Sequence, residues 1–351
     1  MRVIAISSAV LILALAGLAY GPGALNAYHF APPPQDEALA AQFANEQPII
    51  GTERSDLHGA EDLEPGPDGR LYTSLADGRI MVRDADGSWS ELVNTGGRPL
   101  GLSFAPDGAL FIADAELGLL RFADEALTSW VDGTSGGEFV FTDDLTVLED
   151  GRIILTDASL RHRYGHHMTS FLEAEQTGRI IEVTAPGEYR VLAEGLAFIN
   201  GVDHNPATGL VYINETWSGR IWELNPDTLE LRVFADGLPG YPDNLEFDEA
   251  TGLIWTAMPS MRSAELDQLH GRPFLKRLTW RWIQLAGLPP LPPRPAMAIA
   301  YRTDGTLVHA LRGPEEDADG ITTALVWDGQ VFAAGLDRDG ITIFDLPPEL
   351  D

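Results

Sequence analysis

The sequence predicts an all-β fold: a six-bladed β-propeller with helical insertions over the channel mouth, behind an N-terminal hydrophobic anchor or signal. Three observations carry this expectation. A phrase recurs: Glu61-Asp62-Leu63 precedes Pro67-Asp68-Gly69, Leu100-Gly101-Leu102 precedes Pro106-Asp107-Gly108, and Asp143-Asp144-Leu145 precedes Glu149-Asp150-Gly151. Asn200-Gly201-Val202 precedes Ala207-Thr208-Gly209, and Tyr241-Pro242-Asp243-Asn244-Leu245 precedes Glu249-Ala250-Thr251-Gly252. The phase is held: counting from Glu61, Leu100, Asp143, Asn200 and Asp243, each turn glycine follows eight or nine residues later. Finally, 36 Gly and 24 Pro suit a turn-rich architecture. A turn-plus-strand unit repeating every ~40 residues is the mark of a four-stranded propeller blade.

The elements follow in order. Blade one runs from Glu61, with strands at Leu71 to Ser74, Arg79 to Arg83 and Trp89 to Val93 between Asp-Gly turns. Blade two continues with Ala109 to Ala113 and Leu119 to Phe122. Blade three starts at Asp143 and is interrupted after Ser159 by Arg161-His162-Arg163-Tyr164-Gly165-His166-His167-Met168 and a short helical stretch, before Arg179 to Val183 resumes. Blade four, from Asn200 to Asp236, contains the glycosylation-like triplet Asn214-Glu215-Thr216, which lies in an expected strand and so reads as structural. In blade five, Leu253 to Ala257 is followed by a lid-like insertion at 260–296. Within it, Arg272 to Ala286 has helical periodicity, with Phe274, Leu275, Leu278, Trp282 and Leu285 on one face and Arg272, Lys276, Arg277 and Arg281 off it. The plain reading is a helix packed over the channel mouth; the alternative is a lid that also touches a membrane surface through Trp280 and Trp282. Leu288-Pro289-Pro290-Leu291-Pro292-Pro293-Arg294-Pro295 should return extended chain to strands near Ala298 to Tyr301 and Thr306 to Ala310. Thr322 to Leu346 supplies most of blade six, and Thr52 to Leu57 its outer strand, closing the ring without exposed edges.

If each copy opens with the innermost strand of its blade, equivalent first residues converge on the channel axis. Glu61, Asp143, Asn200 and Asp243 would then meet there. Three carboxylates and an amide in a narrow channel repel unless protonated or sharing a cation, and an all-oxygen set suits a hard divalent ion such as calcium (Ca2+).

The 351 residues divide into an N-terminal segment 1–20, a linker 21–48 and the propeller 49–351. Lys and Arg number 23 against 53 Asp and Glu, a net charge of -30, which argues against nucleic acid as a partner. With no cysteine, disulfides and thiol chemistry are excluded. A monomer is expected. Val3 to Ala19 is uncharged and mostly apolar behind Arg2. It reads as a membrane anchor holding an extracytoplasmic propeller, or, since Gly17-Leu18-Ala19 has a small-x-small form, as a cleaved signal leaving a secreted or periplasmic protein. Pro32-Pro33-Pro34 and the stretch to Gln47 read as a spacer.

Gly97-Arg98-Pro99-Leu100-Gly101, Asp143-Asp144-Leu145-Thr146-Val147, Ile199-Asn200-Gly201-Val202, Pro239-Gly240-Tyr241-Pro242-Asp243-Asn244 and Arg272-Pro273-Phe274-Leu275-Lys276-Arg277, in this order, resemble the strictosidine synthase-like proteins of the adipocyte plasma membrane-associated type. More distantly the chain resembles the gluconolactonase, regucalcin and paraoxonase propellers. That resemblance implies a channel calcium held by Glu61, Asp143, Asn200 and Asp243, with Asn244 a fifth ligand. Asp143 stands where the family usually has Asn. A second, structural calcium is implied at Asp62, Asp144 and the Leu102 carbonyl. The glutamate that strictosidine synthases use is missing at Thr322-Thr323-Ala324, so condensation is not expected. Leu100 stands where paraoxonases carry a histidine, and His166 and His167 are expected mainly in solvent. The implied activity is calcium-dependent hydrolysis of lactones or aryl esters, with the ion as Lewis acid and Asp243 or Asp143 activating water. The rival readings are a membrane-tethered binding or scaffold propeller with a purely structural ion, and a metal-free propeller with a hydrogen-bonded carboxylate cluster.

Overall fold

Aspartate-glycine turns set the strand rhythm. In the computed structural model, which describes residues 15–43, 53–133, 138–287, 295, 297–313 and 320–350, the Asp carboxylate of each turn caps the backbone two residues on. Asp68 accepts from the Arg70 amide at 3.1 Å, Asp107 from Ala109 at 3.0 Å and Asp150 from Arg152 at 3.1 Å. The glycine that follows takes positive φ, 75° at Gly69 and 83° at Gly108, which a side chain would resist.

The strands form six four-stranded antiparallel sheets, each built from consecutive strands except the last. Blade six joins Thr323–Trp327, Gln330–Ala334 and Asp339–Asp345 to Glu53–His58, the first strand of the chain, in the register Glu53 to Ile341. The expected closure by the segment near Thr52 to Leu57 is therefore observed. The innermost strands, Leu63–Pro65, Pro99–Phe104, Thr142–Val147, Ile199–Asn205, Leu245–Asp248 and Thr323–Trp327, neighbour one another in a closed ring. Apolar side chains fill the wedges between blades. Trp255, fully buried and stacked on His309 at 5.2 Å, belongs to the cluster joining blades five and six.

Among the described residues, four helices beyond the helical turn at 15–20 cover one end of the ring. The first, α1 (Glu37–Gln42), is capped by Asp36, which accepts from the Ala38 and Leu39 amides; α2 (His167–Glu173) lies in the blade-three insertion. The blade-five insertion supplies α3 (Ala264–His270), capped by Ser263, and α4 (Pro273–Ala286), which begins on a proline as helices tolerate.

Two features differ from the sequence expectation. The stretch read as a linker is, over its described part 21–43, strapped across the propeller. Leu25, Ala27, Phe30 and Phe43 are buried. The Tyr28 amide donates to the Glu173 carbonyl at 2.9 Å, and the Phe30 amide to the His270 carbonyl at 3.1 Å. The second difference is in α4: Trp280, grouped with Trp282 in the membrane-touching alternative, packs inward with Lys276 and Ile283, while Phe274, Leu275, Trp282 and Leu285 point outward. Among the described residues no helix is long and apolar enough to cross a membrane; residues 3–14 of the apolar run and all but Pro295 of the 288–295 proline run lie outside them.

Candidate metal and substrate site at the channel mouth

Three innermost strands carry a register break at the same place: between Pro99 and Leu102, between Thr142 and Leu145, and between Ile199 and Val202. A bulge bends its strand and re-aims the residues within it. The bulged residues here are Leu100, Asp143 and Asn200 with their successors. Glu61, Asp243 and Thr322 each stand just ahead of the innermost strand of their own blade. All six positions line one cavity of about 230 Å3 at the helix-covered end. Their successors Asp62, Leu102, Asp144 and Val202 line a different cavity, about 540 Å3, toward the other end of the channel.

Glycine permits the close packing behind this ring. A Cβ on Gly201 would stand 2.4 Å from the Leu245 nitrogen and 2.5 Å from the Asp243 carbonyl oxygen. The Asp243-Asn244 turn is further pinned by Asn214, whose Nδ2 donates to the Asp243 carbonyl at 2.7 Å and to the Asn244 carbonyl at 3.2 Å. Thr216 holds the Pro242 carbonyl at 2.8 Å. Asn214 is thus a fully buried scaffold residue, and the structural reading of its triplet stands.

The side chains are joined in pairs. Asn200 Nδ2 donates to Asp243 Oδ1 at 2.9 Å; Asn244 Nδ2 donates to Glu61 Oε1 at 3.0 Å and to the Glu61 carbonyl at 2.9 Å. That leaves Glu61 Oε2, Asp143 Oδ2 and Asn200 Oδ1 buried with no hydrogen bond from any described residue. Oxygen atoms stranded this way cost free energy unless something positive meets them. The donor set is all oxygen, from blades one, three and four, with Asp243 of blade five beside it. It fits a hard divalent cation. Asn244 donates its amide nitrogen to Glu61 and so orients that carboxylate.

Burial is the largest cause of the raised carboxylate pKa values. Glu61 lies well above the usual range through burial and the Asp243 charge, and Asp143 through burial and Asp243 again; Arg98 pulls both back down. Asp243 is pushed up to about 7, by burial first and by Asp337 in the same direction, while the Asn200 hydrogen bond opposes. Arg98 is the one buried cation that acts on both Glu61 and Asp143, and sequence reasoning noted it only within a phrase. Its guanidinium donates to the Pro99 and Gly59 carbonyls and to the Tyr164 hydroxyl, with no carboxylate ion pair among the described residues.

The cavity walls are apolar and aromatic: Leu100, Phe141, Phe198, Trp217 and Tyr241, with Met168 from α2. His167 also lines it, whereas His166 is exposed, so one of the two insertion histidines faces the mouth rather than bulk solvent. Asp337 and Arg338 of blade six complete the rim. Neither stood out in the sequence, because both lie between Gln330–Ala334 and Asp339–Asp345 of that blade and outside the recurring phrase.

For the second-ion positions, Asp62 accepts from the Leu63 and Leu102 amides, both at 2.7 Å, and Asp144 from the Leu145 amide at 2.8 Å and the Val202 amide at 2.7 Å. Backbone donors already serve all four oxygens. Elsewhere, His162, Glu173 and Glu175 bring ligand atoms within 4.8 Å of one another. Arg161 lies 3.2 Å from Glu175, His162 Nε2 is 2.9 Å from Glu173, and Ser159 hydrogen-bonds Glu175, so this group reads as a polar network fastening α2.

Comparison with known proteins agrees with this geometry. The SMP-30/Gluconolactonase/LRE-like region model matches residues 68–269, and the strictosidine synthase-like N-terminal model matches residues 51–82. The adipocyte plasma membrane-associated protein of Danio rerio is 32% identical over 272 residues, 70% of this chain and 65% of that protein. Strictosidine synthase-like 4 of Arabidopsis thaliana is 36% identical over 216 residues, 58% of this chain and 57% of that protein. The chain thus spans under two thirds of the length of these relatives. Among solved structures, a gluconolactonase from Xanthomonas campestris aligns with TM-score 0.59 at 16% identity, covering 94% of this chain and 98% of that one. A calcium-binding regucalcin from Agrobacterium tumefaciens aligns with TM-score 0.58 at 15% identity, covering 86% and 95%. The bulged inner strands, the oxygen-lined mouth and these matches together place the chain in the SMP-30/gluconolactonase/LRE-like family, with strictosidine synthase-like sequence character.

Proposed function

We propose that this protein is a calcium-dependent hydrolase of lactones or aryl esters, acting at the helix-covered mouth of the channel. The observation that carries the reading is the trio of buried oxygens, Glu61 Oε2, Asp143 Oδ2 and Asn200 Oδ1, left without hydrogen bonds beside Asp243 in a cavity with apolar walls. Calcium held by Glu61, Asp143, Asn200 and Asp243 would supply Lewis-acid polarisation of a substrate carbonyl. Asp243 is the base of choice: Asn200 fixes one of its oxygens at 2.9 Å, leaving the other to face a water beside the ion. Asp143 is the second candidate. Phe141, Phe198, Trp217 and Tyr241 would sort substrates by apolar bulk and exclude water around the ester. In the 540 Å3 cavity each oxygen of Asp62 and Asp144 accepts one backbone amide and keeps a second lone pair, so a structural ion bound there with the Leu102 carbonyl would share those carboxylates with the amides.

The apolar run at 3–19 suits an anchor with the propeller outside the cytoplasm, in keeping with the membrane-associated name of the Danio rerio relative. The protein would work as a monomer on a small-molecule ester or lactone.

Metal analysis and ester hydrolysis on the purified protein test the reading together. Stoichiometric calcium, turnover abolished by chelation and restored by calcium, and a loss of at least about a hundredfold in Asp243→Ala are expected. Bound calcium with no hydrolysis of any lactone or aryl ester would instead favour a binding propeller whose ion only stiffens the ring.

A further inference from the structure

The outward face of α4 has no counterpart inside the fold. Phe274, Leu275, Trp282 and Leu285 are 38%, 40%, 67% and 79% exposed, and Leu278 is half-buried in the same row. The patch extends onto the N-terminal segment, where residues 15–20 are helical. Leu18 and Tyr20 are exposed there, and the Tyr20 ring meets Phe274 at 6.3 Å. Contiguous aromatic and aliphatic surface of this kind marks a binding face.

The basic residues of α4 turn the other way. Arg281 donates to the carbonyls of Leu18, Gly21 and Pro22, and Arg277 to that of Ala27 while lying 4.8 Å over the Tyr20 ring. Lys276, buried, donates to the Glu173 carbonyl at the end of α2. These cations clamp the N-terminal segment to α4 and α4 to α2, leaving an outward face without charge among its large residues. In sequence, the residues that precede this clamped segment, Val3 to Ala14, are uncharged and, apart from Ser7 and Ser8, apolar.

We infer that this face is a membrane seat: Leu18, Tyr20, Phe274, Leu275, Trp282 and Leu285 enter the acyl boundary of a lipid bilayer, holding the channel mouth against the membrane surface. The occupant follows from the chain itself. The clamp brings a hydrophobic run of membrane-compatible composition to this face, so lipid is adjacent wherever that run is embedded. A second copy is the poorer fit, because a net charge of -30 opposes self-association. The contact would be apolar rather than electrostatic, since Arg277 and Arg281 are committed to backbone carbonyls and only Arg272, at the helix start, is exposed. The mouth lies just beneath: α4 and the strap pack on Leu172 of α2, which contributes His167 and Met168 to the cavity wall. A corollary, which rests on the hydrolase reading, is that the favoured substrates are lipophilic esters or lactones delivered from the bilayer.

The test uses full-length protein reconstituted in phosphatidylcholine vesicles carrying brominated acyl chains, with tryptophan fluorescence as readout. Trp282 should be quenched, so Trp282→Phe should lose the largest quenched component, and the quenching should persist in high salt. Unchanged quenching in Trp282→Phe, a requirement for anionic lipid, or crosslinking between copies through position 282 would overturn the seat. Because position 282 is mostly exposed, the variant should fold. A second arm compares Phe274→Glu/Leu285→Glu with the parent: KM for a long-chain nitrophenyl ester dissolved in the vesicles should rise about tenfold, with that for nitrophenyl acetate unchanged. Absence of hydrolysis in parent and variant alike would count against the hydrolase reading, while the quenching alone decides the seat.

Discussion

Withdrawing the cation should make the propeller less stable as pH rises from 4 to 7, opposite to the trend that salt-bridged carboxylates impose. Asp243 ionises near 3.8 in the unfolded chain but is held at about 7 in the fold, chiefly by burial. Between those values the unfolded chain gives up its proton while the folded one keeps it. The unfolded state then binds fewer protons, so stability falls with rising pH. The contribution is fully present below about pH 4 and is gone once pH passes about 7. Roughly three units at about 1.4 kcal/mol each give on the order of 4 kcal/mol from Asp243 alone. Glu61 and Asp143 are raised too and act in the same direction. At about 2 °C per kcal/mol for a domain of this size, chelator-treated protein should melt roughly 8 °C lower at pH 7.5 than at pH 4.5. Calcium at about a thousand times its Kd should return about 4 kcal/mol at the higher pH, where the ligands are deprotonated. Urea and thermal unfolding at the two pH values, with chelator and with calcium, measure both quantities. Chelated protein that is equally stable at both, or more stable at pH 7.5, would refute the account of stranded carboxylates.

Other substitutions probe separate parts of the site. Asp143→Asn removes one raised carboxylate; it should weaken calcium binding about tenfold by titration calorimetry and flatten the metal-free pH trend just described. Gly201→Ala drives a methyl into the Asp243-Asn244 backbone. A cost of about 1–3 kcal/mol in urea unfolding is expected, with a disproportionate loss of calcium affinity. Asn214→Ala strips donors from the Asp243 and Asn244 carbonyls, and should destabilise by about 2–3 kcal/mol in the same assay, even with calcium present.

Much of this site was legible because the propeller repeats its phrase. Aligning Glu61, Leu100, Asp143, Asn200 and Asp243 by their distance to a turn glycine also aligns them in space, since each opens or precedes the strand nearest the axis. The alternation of neighbours was legible for the same reason: Asp143 and Asp144 reach different cavities. Arg98, Asp337 and Arg338 were not, because they sit at other phases of their blades and reach the mouth only once the ring has closed. Nor could the phrase show that Asp62 and Asp144 would find two backbone amides apiece. One of each pair, Leu63 or Leu145, is local, but the other, Leu102 or Val202, depends on which strand lies beside them, a relation between blades rather than within one.

What the sequence left open at α4 has a different cause. Helical periodicity identified the helix and its row of apolar residues but does not say which face meets the protein. Orientation was decided by hydrogen bonds that no periodicity records. The strap at 18–27 presents carbonyl oxygens at Leu18, Gly21, Pro22 and Ala27, and α2 ends with another at Glu173. Long basic side chains can reach those acceptors while laying their methylenes along Trp280, Ile283 and Leu172, so a nominally polar face packs well. Turning Phe274, Leu278, Trp282 and Leu285 inward would strand those carbonyls and put arginines in their place on the surface, where they have less to bind. An amphipathic helix with carbonyl acceptors on one side and lipid on the other satisfies both faces at once. The inward clamp and the outward apolar row are therefore one arrangement, and the membrane seat is its consequence.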